Sequence, residues 1–159
     1  MNRNVYCFLF SLMGALIMGG LASCSTLPMS QNPRRVQSLI QALNTEPVES
    51  LMKRSSRPFL LDGEIIVRES DLESLWQNLR AARFSFSEAE IVSIQPVNSE
   101  SYLLFGNSKD AQFFFKKYVP KDGAVAEVAT SLGTFYIITG GRTWFTPKII
   151  GFTSKGGSL

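Results

Sequence analysis

An α+β domain is predicted, with helices in the first half of the chain and an antiparallel sheet in the second. Three observations carry this. Apolar residues between Val36 and Leu79 fall at helical spacing in three separate stripes. After Phe84 the apolar period drops from 3.6 to 2, as it does where alternate side chains face opposite sides of a sheet. Turn pairs then recur at short intervals as far as Gly140-Gly141. Helices first and strands afterwards define the α+β class rather than a parallel α/β sheet.

The first helix starts at Asn32-Pro33, an Asn cap followed by proline in the first turn, where a missing N–H costs nothing. Val36, Leu39, Ile40 and Leu43 form its stripe. Asn44-Thr45 interrupts, and Glu46-Pro47 restarts a second helix through Val48, Leu51 and Met52. Glu49 and Lys53 sit four apart on its outer face. Ser55 to Pro58 ends it. PFLLDGEIIV then holds two apolar strands around Asp62-Gly63, a dipeptide suited to the positive φ of a tight hairpin. A third helix is expected from Ser70, where Ser70-x-x-Glu73 spells a capping box, with Leu72, Leu75, Trp76 and Leu79 as its stripe. The candidate strands after it are Glu88 to Val97, Ser101 to Phe105, Gln112 to Val119, Ala124 to Thr130, Thr134 to Thr139 and Thr143 to Phe152. Asn98-Ser99, Lys109-Asp110, Asp122-Gly123, Leu132-Gly133 and Gly140-Gly141 would join them. TSKGGSL, residues 153–159, reads as a flexible tail.

Alternation sorts these strands into two faces. One collects Leu103, Phe105, Phe113, Phe115, Phe135, Ile137, Phe145 and Ile149, nearly all Phe and aliphatic, as a face packed on helices should be. Leu75 and Trp76 would lie opposite it. The other collects Tyr102, Leu104, Phe114, Lys116, Tyr118, Thr134, Tyr136, Ile138, Trp144, Thr146 and Lys148. Three helices cover one face only. Tyr102, Phe114, Tyr118, Tyr136 and Trp144 are therefore expected on an open side, as an aromatic patch suited to a protein interface. The competing readings are a sheet curled enough to shelter them and a strand assignment off by one residue. Pro147 cannot donate to a strand ladder and marks a bulge or edge, so the register of the last strand stays open.

The start of the chain reads as an address. MNRN is followed by Val5 to Gly20 without a charge. That run is shorter than the roughly 20 residues a spanning helix needs, and it ends in Gly19-Gly20, as a signal-peptide core does. Leu21-Ala22-Ser23-Cys24 follows, which resembles the bacterial lipobox. The resemblance implies a lipoprotein: residues 1–23 are cut off, the Cys24 thiol carries a diacylglycerol, and the new amino terminus is often acylated too. An ordinary signal peptide with a chance cysteine, or an uncleaved anchor, is the alternative. At about 0.8 kcal/mol per buried CH₂, two or more acyl chains hold a protein stably on its membrane. Ser25, rather than Asp, follows the cysteine; in enteric bacteria this resembles the signal for the outer membrane. Residues 24–32 then form the lipidated cysteine and a tether, at most about 25–30 Å long, and residues 33–152 form the domain.

Removing residues 1–23 leaves 136 of 159, enough for one self-sufficient core. Arg3 leaves with the signal, so 15 of the 16 basic residues face 13 acidic ones, and the charges are scattered. Neither a nucleic-acid stripe nor a membrane-steering basic cluster results. KDAQFFFKKYVPKD, residues 109–122, interleaves basic and aromatic residues, but a half-buried hairpin with lysines on its wet side gives the same string. Of the two cysteines, Cys7 leaves with the signal and Cys24 would be thioether-linked, so no internal disulfide is expected. The chain has no histidine, which removes Ser-His and Cys-His nucleophile systems and, without further cysteine, most zinc sites. GGRT at 140–143 lacks the lysine and spacing of a phosphate loop. No cofactor or metal is expected.

LIQALNTEPVESLMKRSSRPFLLDGEIIV, followed by a helix and then strands, resembles the nuclear transport factor 2-like superfamily. The likeness covers residues 33–152 and rests on element order, the broken first helix and the Asp62-Gly63 hairpin. It implies a cone, a curved antiparallel sheet wrapped around N-terminal helices with an apolar pocket between them. Its enzymes (isomerases, dehydratases, polyketide cyclases) place Tyr, Asp or His inside the cone; with no His and its acids at surfaces and turns, this chain inherits no catalytic residue.

Three functions follow, in order of preference. The first is a membrane-anchored, non-catalytic binding or assembly module using the aromatic face toward a second copy or an envelope protein. The second is a binder of a small apolar ligand, held inside the cone among Leu75, Trp76, Phe105, Phe113, Phe115 and Phe135. The third is an enzyme pairing Glu64 or Glu90 with Tyr102, which would need a carboxylate raised by burial in a pocket.

Overall fold

The computed structural model describes residues 31–140 and 147–156. The expected signal segment, the expected lipobox with Cys24, the expected tether up to residue 30, Trp144, Phe145, the first residues of the last expected strand and the end of the expected tail lie outside the described residues.

The N-terminal elements follow their local signals. Helix α1 (Pro33–Thr45) begins with Asn32 accepting the Arg34 N–H at 3.0 Å and Pro33 at its first position. Its buried residues are the expected stripe with Ala42 added. Helix α2 (Val48–Arg54) follows without a side-chain cap. Strands β1 (Ser55–Leu61) and β2 (Glu64–Ile66) pair antiparallel across Asp62 (φ 45°) and Gly63 (φ 85°), the paired positive φ values that a two-residue hairpin turn demands. Helix α3 (Glu69–Ala81) starts a residue earlier than expected, with Arg68 at the cap. The capping box is therefore not made: Ser70 Oγ instead donates to Asp71 Oδ1 at 3.2 Å, and Glu73 accepts from Gln77.

The second half departs further. Strand β3 (Glu90–Pro96) forms, but Ser101–Phe105 is a 3-10 helix and Lys109–Tyr118 is helix α4; both had been expected as strands. Ser108, at the N-cap of α4, accepts the Ala111 N–H at 3.0 Å, so the expected Lys109-Asp110 turn is the helix's first turn. Strands β4 (Ala124–Thr130), β5 (Gly133–Gly140) and β6 (Lys148–Ser154) complete the sheet. Thr153 and Ser154, expected in the tail, pair with Tyr136 and Phe135, so the domain extends past residue 152.

The sheet is open and runs β2-β1-β6-β5-β4-β3. It is mixed rather than antiparallel, because β1 and β6 run parallel. That joint ties the early hairpin to the late meander. Asp62 reinforces it, accepting from Thr153 Oγ1 at 2.7 Å and from the Ser154 N–H at 3.1 Å.

Two cores result, one on each face. Helices α1–α3 bury Val36, Leu39, Ile40, Leu43, Leu51, Leu72 and Trp76 against Phe59, Ala126, Val128, Phe135, Ile137, Ile149 and Phe152. Trp76 stacks tilted on Phe152 and meets Phe59 edge-on; its Nε1–H donates to Ser55 Oγ at 3.1 Å, which in turn donates to Leu51 O. The opposite face packs Leu60, Val125, Ile138 and Ile150 on Phe105, Phe114, Phe115 and Val119. This overturns the expected open aromatic side: α4 and the 3-10 helix form a third layer. Leu103 and Phe113, expected in the core, are exposed, whereas Phe114 and Ile138, expected outside, are fully buried. Ile149 and Phe152 share a face although three apart, because the β5–β6 register shifts between Ile138 and Thr139. The irregularity lies close after Pro147.

The α1–α2 corner is closed by a forked ion pair. Arg54 Nε and Nη2 bind Glu46 Oε2 and Oε1 at 2.6 and 2.5 Å, and Arg80 caps the Asn44 and Glu46 carbonyls at 2.9 and 2.6 Å. Hydrogen bonds from Arg54 hold the Glu46 carboxyl below its ordinary 4.5. A carboxyl lowered on folding adds stability above its unfolded pKa and loses it as the pH falls through the folded one. The expected result is a Glu46→Gln variant that melts lower than wild type at pH 7, with the gap closing on titration below 4.5. An unchanged gap at pH 3 would assign the effect to something other than this pair.

Candidate functional site

Helix α4 packs on β1 and β2, and the 3-10 helix packs on α4 and β6. Part of the second face beyond them, on β3, β4 and β5, stays open. There Ser93, Gln95, Ser101, Leu104, Val125, Glu127 and Tyr136 line a cleft of about 100 Å³. Its floor is built by register: Ser93 pairs with Glu127, and Glu127 with Tyr136, on three successive strands. Its wall is the 3-10 helix, held by Ser101, whose Oγ accepts the Asn98 N–H at 3.0 Å and lies 3.3 Å from Asn98 Oδ1.

Lys155, just past β6, leans over the floor. Its Nζ donates to Glu127 Oε1 at 2.7 Å and lies 5.7 Å from the centre of the Tyr136 ring. The hydrogen bond to Glu127, then that to Tyr136, pushes the Lys155 pKa above its usual value. The ammonium is thus held charged, which is the opposite of what a lysine base needs at neutral pH. Ser93 Oγ donates a long hydrogen bond, 3.5 Å, to Glu127 Oε2. The cleft therefore offers hydroxyls, an amide and the apolar side chains of Leu104 and Val125 beside an ion pair.

The structure scatters the five residues expected to form an interface. Tyr136 lines the cleft and Tyr102 is half-buried against the second core. Phe114 is buried under α4, Tyr118 is exposed at the end of that helix, and Trp144 lies outside the described residues. The six expected pocket residues fall on both sides of the sheet. Leu75, Trp76 and Phe135 belong to the first core, Phe105 and Phe115 to the second, and Phe113 faces solvent. Beside Trp76 a void bounded by Leu43, Leu51, Leu79, Arg80, Phe84 and Phe86 measures about 10 Å³, room for at most one water. Glu64 and Glu90 are exposed, at the hairpin turn and at the start of β3. Among the described residues no cluster of His, Cys, Asp or Glu could hold a metal ion, and no helix is long and apolar enough to cross a membrane.

Sequence reasoning missed Ser93, Gln95, Ser101, Val125, Glu127 and Lys155. One signal was available: Glu127 is the only charged residue in AVAEVAT, a strand otherwise apolar but for its final Thr. A carboxylate there needs a partner.

No family model matches this chain, and neither a curated protein nor a solved structure matches it.

Proposed function

We propose that this chain is a bacterial envelope lipoprotein, anchored through acyl chains on Cys24, whose domain works as a non-catalytic binding module. The anchor is argued from Leu21-Ala22-Ser23-Cys24 standing directly after a charge-free run of signal-peptide length. The observation that carries the binding role is the cleft at Tyr136, where the second sheet face stays open between β3 and the 3-10 helix. Its volume of about 100 Å³ suits one inserted side chain better than a whole metabolite. The partner surface is thus the uncovered remainder of the aromatic face, reduced to Tyr136 with Leu104 beside it. The succession of α1, α2, hairpin and α3 before the sheet supports keeping the nuclear transport factor 2-like reading within this proposal.

The test has two parts. Radiolabelled palmitate should enter the wild-type chain and not a Cys24→Ser variant; a wild-type chain without label overturns the anchor. A photo-crosslinking amino acid at Tyr136 should give a discrete adduct, absent when it is placed at Leu132, which is 60% exposed on the β4–β5 turn. An adduct of twice the chain mass denotes a second copy, and another mass an envelope protein to be sequenced. Equal smears at both positions would end the binding assignment.

A further inference from the structure

We infer that the outer face of α4 docks on an anionic phospholipid bilayer, an inference that rests on the lipid-anchor reading. The helix buries Ala111, Phe114 and Phe115, yet it keeps two rings outside: Phe113 is 52% exposed and Tyr118 37%. The rings meet edge-on with centroids 6.2 Å apart, and Lys117 Nζ stands 5.1 Å from each. Helical spacing surrounds Phe113 with Lys109 at i−4, Lys116 at i+3 and Lys117 at i+4, against Asp110 at i−3, all of them exposed. Leu103, exposed on the adjoining 3-10 helix, adds apolar surface on that layer.

Rings rimmed by ammonium groups match the chemistry of a headgroup layer. The aromatic bodies settle at the acyl boundary while the lysines snorkel to the phosphates. The lysine excess favours anionic lipid. Reach agrees: the eight Cα–Cα steps from Cys24 to Asn32 span at most about 28 Å, so an anchored domain meets the bilayer continually. A second copy fits the face less well. A specific dimer buries about 800 Å² on each partner, far more than two rings and a leucine, and two-fold pairing would set lysines against lysines.

The experiment uses the full chain with Phe113→Cys, labelled with an environment-sensitive fluorophore and reconstituted into phosphatidylcholine vesicles with or without phosphatidylglycerol. The expected result is blue-shifted, several-fold brighter emission in the anionic vesicles, quenched by nitroxide-bearing lipid. It should be lost at high salt and in the K116E/K117E background. Water-like emission in anionic vesicles overturns the proposal. So does a blue shift that grows with protein concentration without lipid, which denotes a second copy. The parental chain reports separately on the anchor, because an acylated Cys24 and a departed Cys7 leave no thiol to label. If it does label, the anchor reading falls. Docking is then read on a Cys7→Ser, Cys24→Ser, Phe113→Cys chain mixed with preformed anionic vesicles, where shielding upholds it and water-like emission ends it.

Discussion

Phe114→Ala is expected to cost about 3–5 kcal/mol of folding stability, and its neighbour Phe113→Ala less than about 1 kcal/mol. Phe114 is fully buried beneath α4, with its ring 5.5 Å from Tyr118 and 6.5 Å from Phe115. Truncation removes a whole ring from between helix and sheet, in a core that cannot collapse because Leu60, Ile138 and Ile150 are fixed in strands. Phe113 faces water on the same helix, so shortening it leaves no cavity. The contrast is diagnostic. A strand over Gln112 to Val119 would bury Phe113 and Phe115 together and expose Phe114, and the two costs would exchange places. Urea or thermal unfolding of both variants decides it. Equal costs, or the larger cost at Phe113, would refute the helix.

Gly151→Ala should be at least as damaging, at about 4 kcal/mol or more, enough to consume much of a typical domain's stability. Gly151 pairs with Leu60 on one side and Ile138 on the other, at the joint between parallel β1 and β6. A Cβ there would sit 2.4 Å from the Leu60 carbonyl oxygen and 2.8 Å from Leu60 Cβ. Neither atom can retreat: one is backbone in a sheet, and the other belongs to a fully buried residue. The strands would have to part, and with them the only pairing described between the N-terminal hairpin and the rest of the sheet. Gly133→Ala supplies the comparison. Its Cβ would meet nothing within 4 Å, so its cost comes from φ of +126° alone, about 1–3 kcal/mol. Denaturant midpoints measure both. A Gly151→Ala domain within about 1 kcal/mol of wild type would mean that β1 and β6 do not approach as described.

The candidate cleft was only partly legible in advance. Alternation alone places Tyr136 on the second sheet face, and the structure puts it in the lining of the cleft. Ser93 and Glu127 could not be joined to it from sequence, because their adjacency depends on the registers of β3 on β4 and of β4 on β5. Sequence pattern places Lys155 in the tail, yet the strand continues to Ser154, and the Lys155 N–H donates to Thr134 O at 2.7 Å. Short-range pattern could not show this, since the pairing is made with a strand some twenty residues earlier.

What the chain determines by itself is every element whose signal is local. The stripes of α1, α2 and α3, the Asn32 cap, the Asp62-Gly63 turn and strands β4 and β5 form where spacing and turn chemistry place them. At Phe113-Phe114-Phe115 local pattern fails, because three consecutive phenylalanines satisfy a period of 2 and of 3.6 equally well. The stripe Ala111, Phe114, Phe115 and Tyr118 was present all along, at i, i+3, i+4 and i+7. Tertiary structure chose between the two readings. A sheet carrying Leu60, Val125, Ile138 and Ile150 on its second face has to shed that apolar surface from water, and a helix lying across it covers more of it than one further strand at the edge could. The parallel junction of β1 with β6 was decided in the same way, by contacts between segments ninety residues apart that no local window contains.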